Sequence, residues 1–353
     1  MPNLASPGEG LSLEELQLAT RNRGMPLEAL RYDLTPVGMH YLLVHFDIPA
    51  VDPDTWRLKV GGAVRTPLEL SLGDIQARPR QTMPVTLECA GNGRALLTPR
   101  PLSQPWLLEA VGTAEWTGTP LKGVIDNAGL GDDAVEIVFT GADRGIQGGI
   151  EQDYQRALPV DEALRDDVML VYEMNGRPLE PQHGSPLRLI VPGWYGMTHV
   201  KWLTRIDPVT EHFEGYQHEA YRYQQTEDEL GEPVTRIRVR SLMVPPGVPD
   251  FYTRTRLVDA GRLEITGRAW CGSAQVSRVE VGVDDEWAEA RLGETPGPWA
   301  WRPWSFEWDA IPGEHVLSCR ATDADGNTQP TEQPWNLFGM GNNLIQNVPV
   351  TVR

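Results

Sequence analysis

Val85-Thr-Leu-Glu-Cys89-Ala-Gly-Asn-Gly-Arg94 reads as an extended apolar run that breaks into a glycine-flanked loop with a single cysteine at its turn. Small residues on either side of such a loop let a bulky partner approach the backbone closely. A thiolate is a soft donor suited to a transition metal. On these residues alone Cys89 is either such a ligand or a small buried hydrophobe, the usual state of a free cysteine.

Outward from this strand and loop, the first two-thirds of the chain mixes short strands and short helices. Tyr41–Ile48 and Trp56–Val60 read as strands, the second closed by Gly61-Gly62. Ser71 and Thr119-Pro120 read as helix openings, with the second helix stopping at Gly129. Ala134–Thr140 is a continuous apolar strand, Val160–Arg165 a short helix, and Val168–Glu173 a strand running into the turn Asn175-Gly176. Leu187–Val191 and Val200–Ile206 complete a pattern too irregular for βαβ repeats, so a mixed α+β domain is expected. A polar, acidic stretch from Gln224 to Pro233 and the Pro245-Pro246-Gly247 triplet mark a change of character. Beyond it, Arg262–Trp270, Ser277–Val283, Trp304–Trp308, His315–Thr322 and Val348–Val352 alternate between turn residues, which reads as an all-β, immunoglobulin-like sandwich. The expected organisation is an extension over 1–30, an α+β domain over 31–222, a linker over 223–240 and the sandwich over 241–353.

Bulk composition narrows the function. Lys and Arg number 31 against 49 Asp and Glu, a net charge of −18, which argues against a nucleic-acid partner because phosphates reward clustered positive charge. No apolar run approaches the roughly 18 residues of a membrane span. Cys89, Cys271 and Cys319 cannot all pair and form no CxxC motif. The amino terminus shows no basic segment, apolar core or twin-arginine pair, so the expected location is cytoplasmic, or periplasmic if a leader has been removed.

Glu88-Cys-Ala-Gly-Asn-Gly-Arg resembles the molybdenum-binding segment of sulfite oxidases and eukaryotic nitrate reductases. Trp106, Gly112-Thr-Ala-Glu-Trp116, Tyr172-Glu-Met-Asn-Gly-Arg-Pro-Leu, His183-Gly-Ser-Pro-Leu-Arg188 and Val200-Lys-Trp-Leu resemble that family's successive motifs in the same order. Trp299–Trp304 and Pro334-Trp-Asn-Leu resemble its carboxy-terminal dimerisation domain. The resemblance implies a molybdenum and molybdopterin enzyme that transfers an oxygen atom, with Cys89 as the protein sulfur on the metal. His45, Asp143, His183, Arg188, Thr198 and Lys201 fall where the family holds the pterin and its phosphate. Charge-assisted hydrogen bonds from Arg188 and Lys201 suit that phosphate. Tyr154 falls beside the reacting oxygen, and Arg94 and Trp106 fall in the substrate pocket.

Two positions depart from the family. Leu43, in Leu43-Val44-His45, stands where an anion-binding arginine is expected, and Ser273 is aligned with a second. Arg94 and Arg144 remain as anion partners. Sulfite oxidation is the leading expectation, a relative acting on another substrate such as a sulfoxide the second, and a non-catalytic binding or assembly protein the third. No haem, iron–sulfur or nucleotide motif is present, so electrons are expected to leave to an external acceptor such as a cytochrome or dioxygen. The family's architecture further implies a homodimer.

Overall fold

The computed structural model describes residues 4–6, 8–284 and 286–353. Two sheets build the first domain. One runs in the order Leu68–Leu70, Leu58–Val60, Leu203–Val209, Glu136–Gln147 and Ile150–Pro159, with its second and third strands parallel and the rest antiparallel. The other joins Gln81–Glu88, Val111–Pro120 and Met169–Met174, with Arg177–Pro178 and Arg188–Ile190 both paired to the last. Helix Leu121–Ala128 follows directly from Val111–Pro120 and buries Leu121, Val124, Ile125 and Ala128, the i, i+3, i+4, i+7 stripe of a helix lying on a core. It ends at Gly129, whose φ of +71° a side chain would resist.

The expected caps are met in different ways. Ser71 accepts from the Asp74 backbone N–H while the Asp74 carboxylate accepts from Ser71, a full capping box. Thr119 instead remains within its strand, and Pro120 opens the following helix. Asn175 and Gly176, with φ of +51° and +72°, make the tight turn between Met169–Met174 and Arg177–Pro178.

Tyr41–Ile48 is not a strand. Its polar backbone is satisfied one group at a time: Leu42 pairs with Arg23, and the Val44 N–H donates to the Asn22 side chain at 2.7 Å. Its apolar residues face cavities instead of a neighbouring ladder.

The second domain stacks two sheets. Arg240–Met243, Gly261–Trp270, Arg302–Ala310 and Arg291–Leu292 form one, and Gly313–Asp323 lies in the other between Gln346–Val352 and Val276–Val283. Val279, Val281, Leu317, Cys319, Ala321 and Val350 point inward to the shared core. Cys319 is thus a core residue.

The domains are joined by apolar packing and by hydrogen bonds to the Cys89 strand. Met25, Ala29 and Leu30 cluster with Tyr195, Ile237, Trp270 and Trp301. The Thr86 N–H donates to the Trp299 carbonyl at 2.9 Å, and the Trp301 N–H to the Thr86 hydroxyl at 2.8 Å. In the stretch between the domains, Arg222–Tyr223 pairs with Glu232–Pro233 as a small hairpin. Among the described residues no helix is long and apolar enough to cross a membrane.

Candidate active site

Strand Gln81–Glu88 delivers Cys89 to a loop tied at each step. The Cys89 N–H donates to the Ala110 carbonyl, and the Cys89 carbonyl accepts from Asn92, both at 2.9 Å. The Asn92 amide donates to the Glu88 carboxylate at 2.9 Å and its oxygen accepts from the Ala110 N–H at 3.1 Å. Gly91 packs closely on Arg94, since a Cβ there would lie 2.7 Å from the guanidinium and force it to shift. Arg94 donates from Nε to the Phe338 carbonyl at 2.8 Å and from Nη1 to the Gln104 carbonyl at 3.4 Å.

Two cavities meet at Cys89. The first encloses about 710 Å³, part of it open to solvent, and is lined by His45, Asp143, Tyr154, His183, Arg188 and Lys201 along with Cys89. The second, about 1460 Å³ on the same measure, opens in front of Cys89 and includes Arg94 and Trp106. Leu43, His45, Cys89 and Tyr221 belong to both.

The first cavity holds polar atoms that the protein leaves unpaired. His40 Nε2, Asp143 Oδ1, His183 Nε2 and Arg188 Nε, together with Thr198 Oγ1 beside the lining, are buried without a hydrogen-bond partner among the described residues. Buried polar groups almost always have one. Lys201 is oriented by the Leu43 and Gln182 carbonyls at 2.7 and 3.1 Å, and Arg188 by the His183 and His199 carbonyls at 3.0 and 3.3 Å. Neither cation has a carboxylate within salt-bridge distance among the described residues.

These charges are held against their hydration. Burial lowers Arg188 to about 10. Burial, then the Arg188 charge, lowers Lys201 to about 7 against the opposing pull of Asp143. Burial raises Asp143 to about 6 and lowers His40 to about 4. His183 is pushed far down by burial and then by the His40, Arg188 and Lys201 charges. Burial likewise raises the Cys89 thiol, opposed chiefly by Arg94. A cluster of desolvated cations and unpaired donors suits a multiply charged, hydrogen-bonding ligand such as a phosphate-bearing cofactor, and the cysteine sulfur at its end suits a bound metal, whose charge would favour the thiolate over the thiol.

The fold gathers most of the sequence-predicted residues. Thr198 does not line the first cavity itself but lies between Met197 and His199, which do, with its hydroxyl buried. Tyr154 is buried, and its hydroxyl donates to the Met197 carbonyl at 2.7 Å. Arg144 is elsewhere: it is exposed and pairs with Glu151 and Asp153. Ser273 is also elsewhere, exposed on a turn beside Cys271 and lining neither cavity. Leu337, Phe338 and Met340 are what the second domain contributes to the chamber in front of Cys89. Sequence reasoning also missed His40, Tyr41 and Tyr221. The signal for Phe338 was at hand, because it directly follows the recognised Pro334-Trp-Asn-Leu.

Residues 45–217 match the oxidoreductase molybdopterin binding domain, and residues 233–353 the Mo-co oxidoreductase dimerisation domain. The chain belongs to the sulfite oxidase family of molybdopterin-dependent oxidoreductases. It is 32% identical over 333 residues to sulfite oxidase of Gallus gallus, covering 87% of this chain and 71% of that protein. It is 34% identical over 346 residues to mitochondrial sulfite oxidase of Homo sapiens, covering 90% of this chain and 62% of the human protein. A nitrate reductase [NADH] of Oryza sativa subsp. japonica matches at 30% identity, covering 90% of this chain and 38% of that one. The chain therefore spans less than two-thirds of the human relative. The sulfane dehydrogenase SoxCD structure from Paracoccus pantotrophus superposes with a TM-score of 0.81 at 25% identity, covering 99% of this chain and 94% of that one.

Proposed function

We propose that the chain transfers an oxygen atom to the lone pair of a substrate sulfur, oxidising sulfite to sulfate in the manner of a sulfite oxidase. The observation that carries this reading is the position of Cys89, at the junction of a cavity built of unsatisfied polar groups and a chamber open to substrate. In this reading Cys89 supplies the metal's thiolate, and His45, Asp143, His183, Arg188, Thr198 and Lys201 hold the pterin and its phosphate. The bound molybdenum cofactor supplies two-electron redox chemistry and the transferable oxygen. Burial keeps the Tyr154 phenol protonated, so in this reading its proton would turn from the Met197 carbonyl to donate a hydrogen bond at the metal site. His45, lowered by burial and held at 2.7 Å from the Gln147 side chain, is neutral and fixed in orientation. Arg94 and Trp106 wall the substrate side. Electrons leave to an external acceptor, a cytochrome or dioxygen, and two chains form a homodimer through the second domain.

A second reading, oxidation or reduction of a sulfur substrate other than sulfite, is favoured by the presence of Leu43 and Phe338 in the chamber. Molybdenum content and sulfite-dependent reduction of the bound metal test the primary reading. The wild-type protein is expected to carry stoichiometric molybdenum that sulfite reduces, and Cys89→Ser to lose that response. Protein without molybdenum from a cofactor-competent host would refute it.

A further inference from the structure

The chamber in front of Cys89 offers one arginine, several neutral polar side chains such as Asn22, Gln104 and Gln147, and an apolar side. Arg94 is the single Lys or Arg among its lining residues. It is 7% exposed and has no carboxylate partner among the described residues. Its Nε and Nη1 are committed to carbonyl oxygens, which leaves one edge of a fixed, buried guanidinium to meet an anion. The same chamber is lined by Leu43, Phe46, Leu102, Leu337, Phe338 and Met340. Ile146, 72% exposed, and Leu18, 38% exposed, carry the apolar lining out to the rim.

This arrangement is poorly matched to a small dianion. Such a substrate brings two charges to one guanidinium, and the second would find no further Lys or Arg among the lining side chains. Nor does it suit a neutral apolar molecule, which would leave the Arg94 charge buried and unanswered. The complement is a monoanion whose charge and reacting lone pair lie at one end and whose other end is hydrocarbon.

We propose that the chamber binds organosulfinates, R–SO2⁻, and that the chain oxidises them to sulfonates in preference to sulfite. The proposal rests on the reading of Cys89 as the metal ligand. An organosulfinate differs from sulfite in carrying carbon in place of one oxyanion, so it keeps the sulfur lone pair and sheds one charge. In the reaction R–SO2⁻ + H2O → R–SO3⁻ + 2H⁺ + 2e⁻ one sulfur–oxygen bond forms, with its oxygen ultimately from water. The two protons go to solvent and the two electrons to one-electron acceptors of the cytochrome class, ferricyanide in vitro. Arg94 holds the oxyanion end, while Leu43 and Phe338, on opposite sides of the domain boundary, receive R.

The test compares benzenesulfinate, methanesulfinate and sulfite as substrates of the molybdenum-loaded protein with ferricyanide, and measures binding of unreactive benzenesulfonate by calorimetry. Benzenesulfinate is expected to exceed methanesulfinate in kcat/KM by about tenfold or more, the discrimination that added apolar contact supports, and to exceed sulfite as well. Benzenesulfonate is expected to bind the wild type, to bind Phe338→Arg and Leu43→Arg more weakly, and both variants to gain activity toward sulfite. Either variant suffices, provided its circular dichroism matches the wild type. Loaded protein that turns over sulfite but neither oxidises benzenesulfinate nor binds benzenesulfonate would overturn this proposal and leave the molybdoenzyme reading intact. Absence of molybdenum in the metal assay would overturn both.

Discussion

Replacing Arg240 by leucine would strand a carboxylate at the junction of the two domains. Glu88, 1% exposed, accepts from Arg240 Nη1 at 2.7 Å, from Trp270 Nε1 at 2.7 Å and from the Asn92 amide at 2.9 Å. Arg240, also 1% exposed, donates further to the Asn342 carbonyl at 2.8 Å, and its Nε and Nη2 have no partner among the described residues. Both side chains are almost fully shielded from bulk solvent, so each depends on the other. Removing one member of such a pair costs about 3–5 kcal/mol, because the remaining ion keeps its desolvation penalty and loses its counter-charge.

Against a total stability of roughly 5–15 kcal/mol, Arg240→Leu should still fold at low temperature but unfold at much lower urea. Glu88→Gln should cost a comparable amount, since the Arg240 guanidinium then faces a neutral amide. The double variant removes both charges and is expected to be more stable than the sum of the single losses implies, with a coupling energy of about 2–3 kcal/mol. Urea unfolding followed by tryptophan fluorescence reads all four proteins. Because Glu88 immediately precedes Cys89, molybdenum content should fall in the single variants too. An Arg240→Leu cost below about 1 kcal/mol, or strict additivity in the cycle, would refute the claim that this pair is a mutually dependent buried contact.

The other predictions concern the second domain. His315 Nδ1 lies 2.9 Å from Asp284, and that hydrogen bond leads the causes that raise the imidazole above its ordinary 6.5. A raised histidine contributes stability that is fully present below 6.5 and lost as pH rises through the folded value, so His315→Gln should lower the unfolding midpoint at about pH 5.5 and be near neutral at about pH 8.5. An equal effect at both pH values would rule out the charged pair as the cause. Light scattering should give twice the 39.3 kDa chain mass, and a single-chain mass would refute the dimer.

What the sequence made legible was local. Helix Leu121–Ala128 was bracketed by Pro120 and Gly129, the Asn175-Gly176 turn by its two permissive residues, and the sandwich strands by alternation with a period of two. Periodicity failed at Tyr41–Ile48, where apolar residues wall a cavity and so mimic a buried strand. Arg144 was misjudged for a related reason. A register shift between Thr140 and Arg144 interrupts the ladder; Asp143 lies buried in the cavity, while Arg144 returns to pairing opposite Asp153 and is exposed. Ser273 failed on a longer scale, because which second-domain residue faces the chamber depends on how the sandwich docks on the Cys89 loop.

That docking separates two tasks that meet at one sulfur. The cavity behind Cys89 draws its charged and hydrogen-bonding groups from the first domain: Asp143, His183, Arg188 and Lys201. The chamber in front takes Leu43 and Arg94 from the first domain and Leu337, Phe338 and Met340 from the second. Substitutions on the second-domain side can therefore change what reaches the reacting sulfur while every unpaired donor behind Cys89 stays in place. Leu43, His45, Cys89 and Tyr221 line both, and the second domain touches the Cys89 loop directly. The Phe338 carbonyl orients Arg94, and Arg240 and Trp270 grip Glu88. The first of these acts through the backbone, so exchanging the Phe338 side chain keeps the Arg94 anchor. The second lies on the residue before the proposed metal ligand. Specificity should thus be the more mutable property at Phe338, and cofactor retention the more vulnerable one at Glu88 and Arg240.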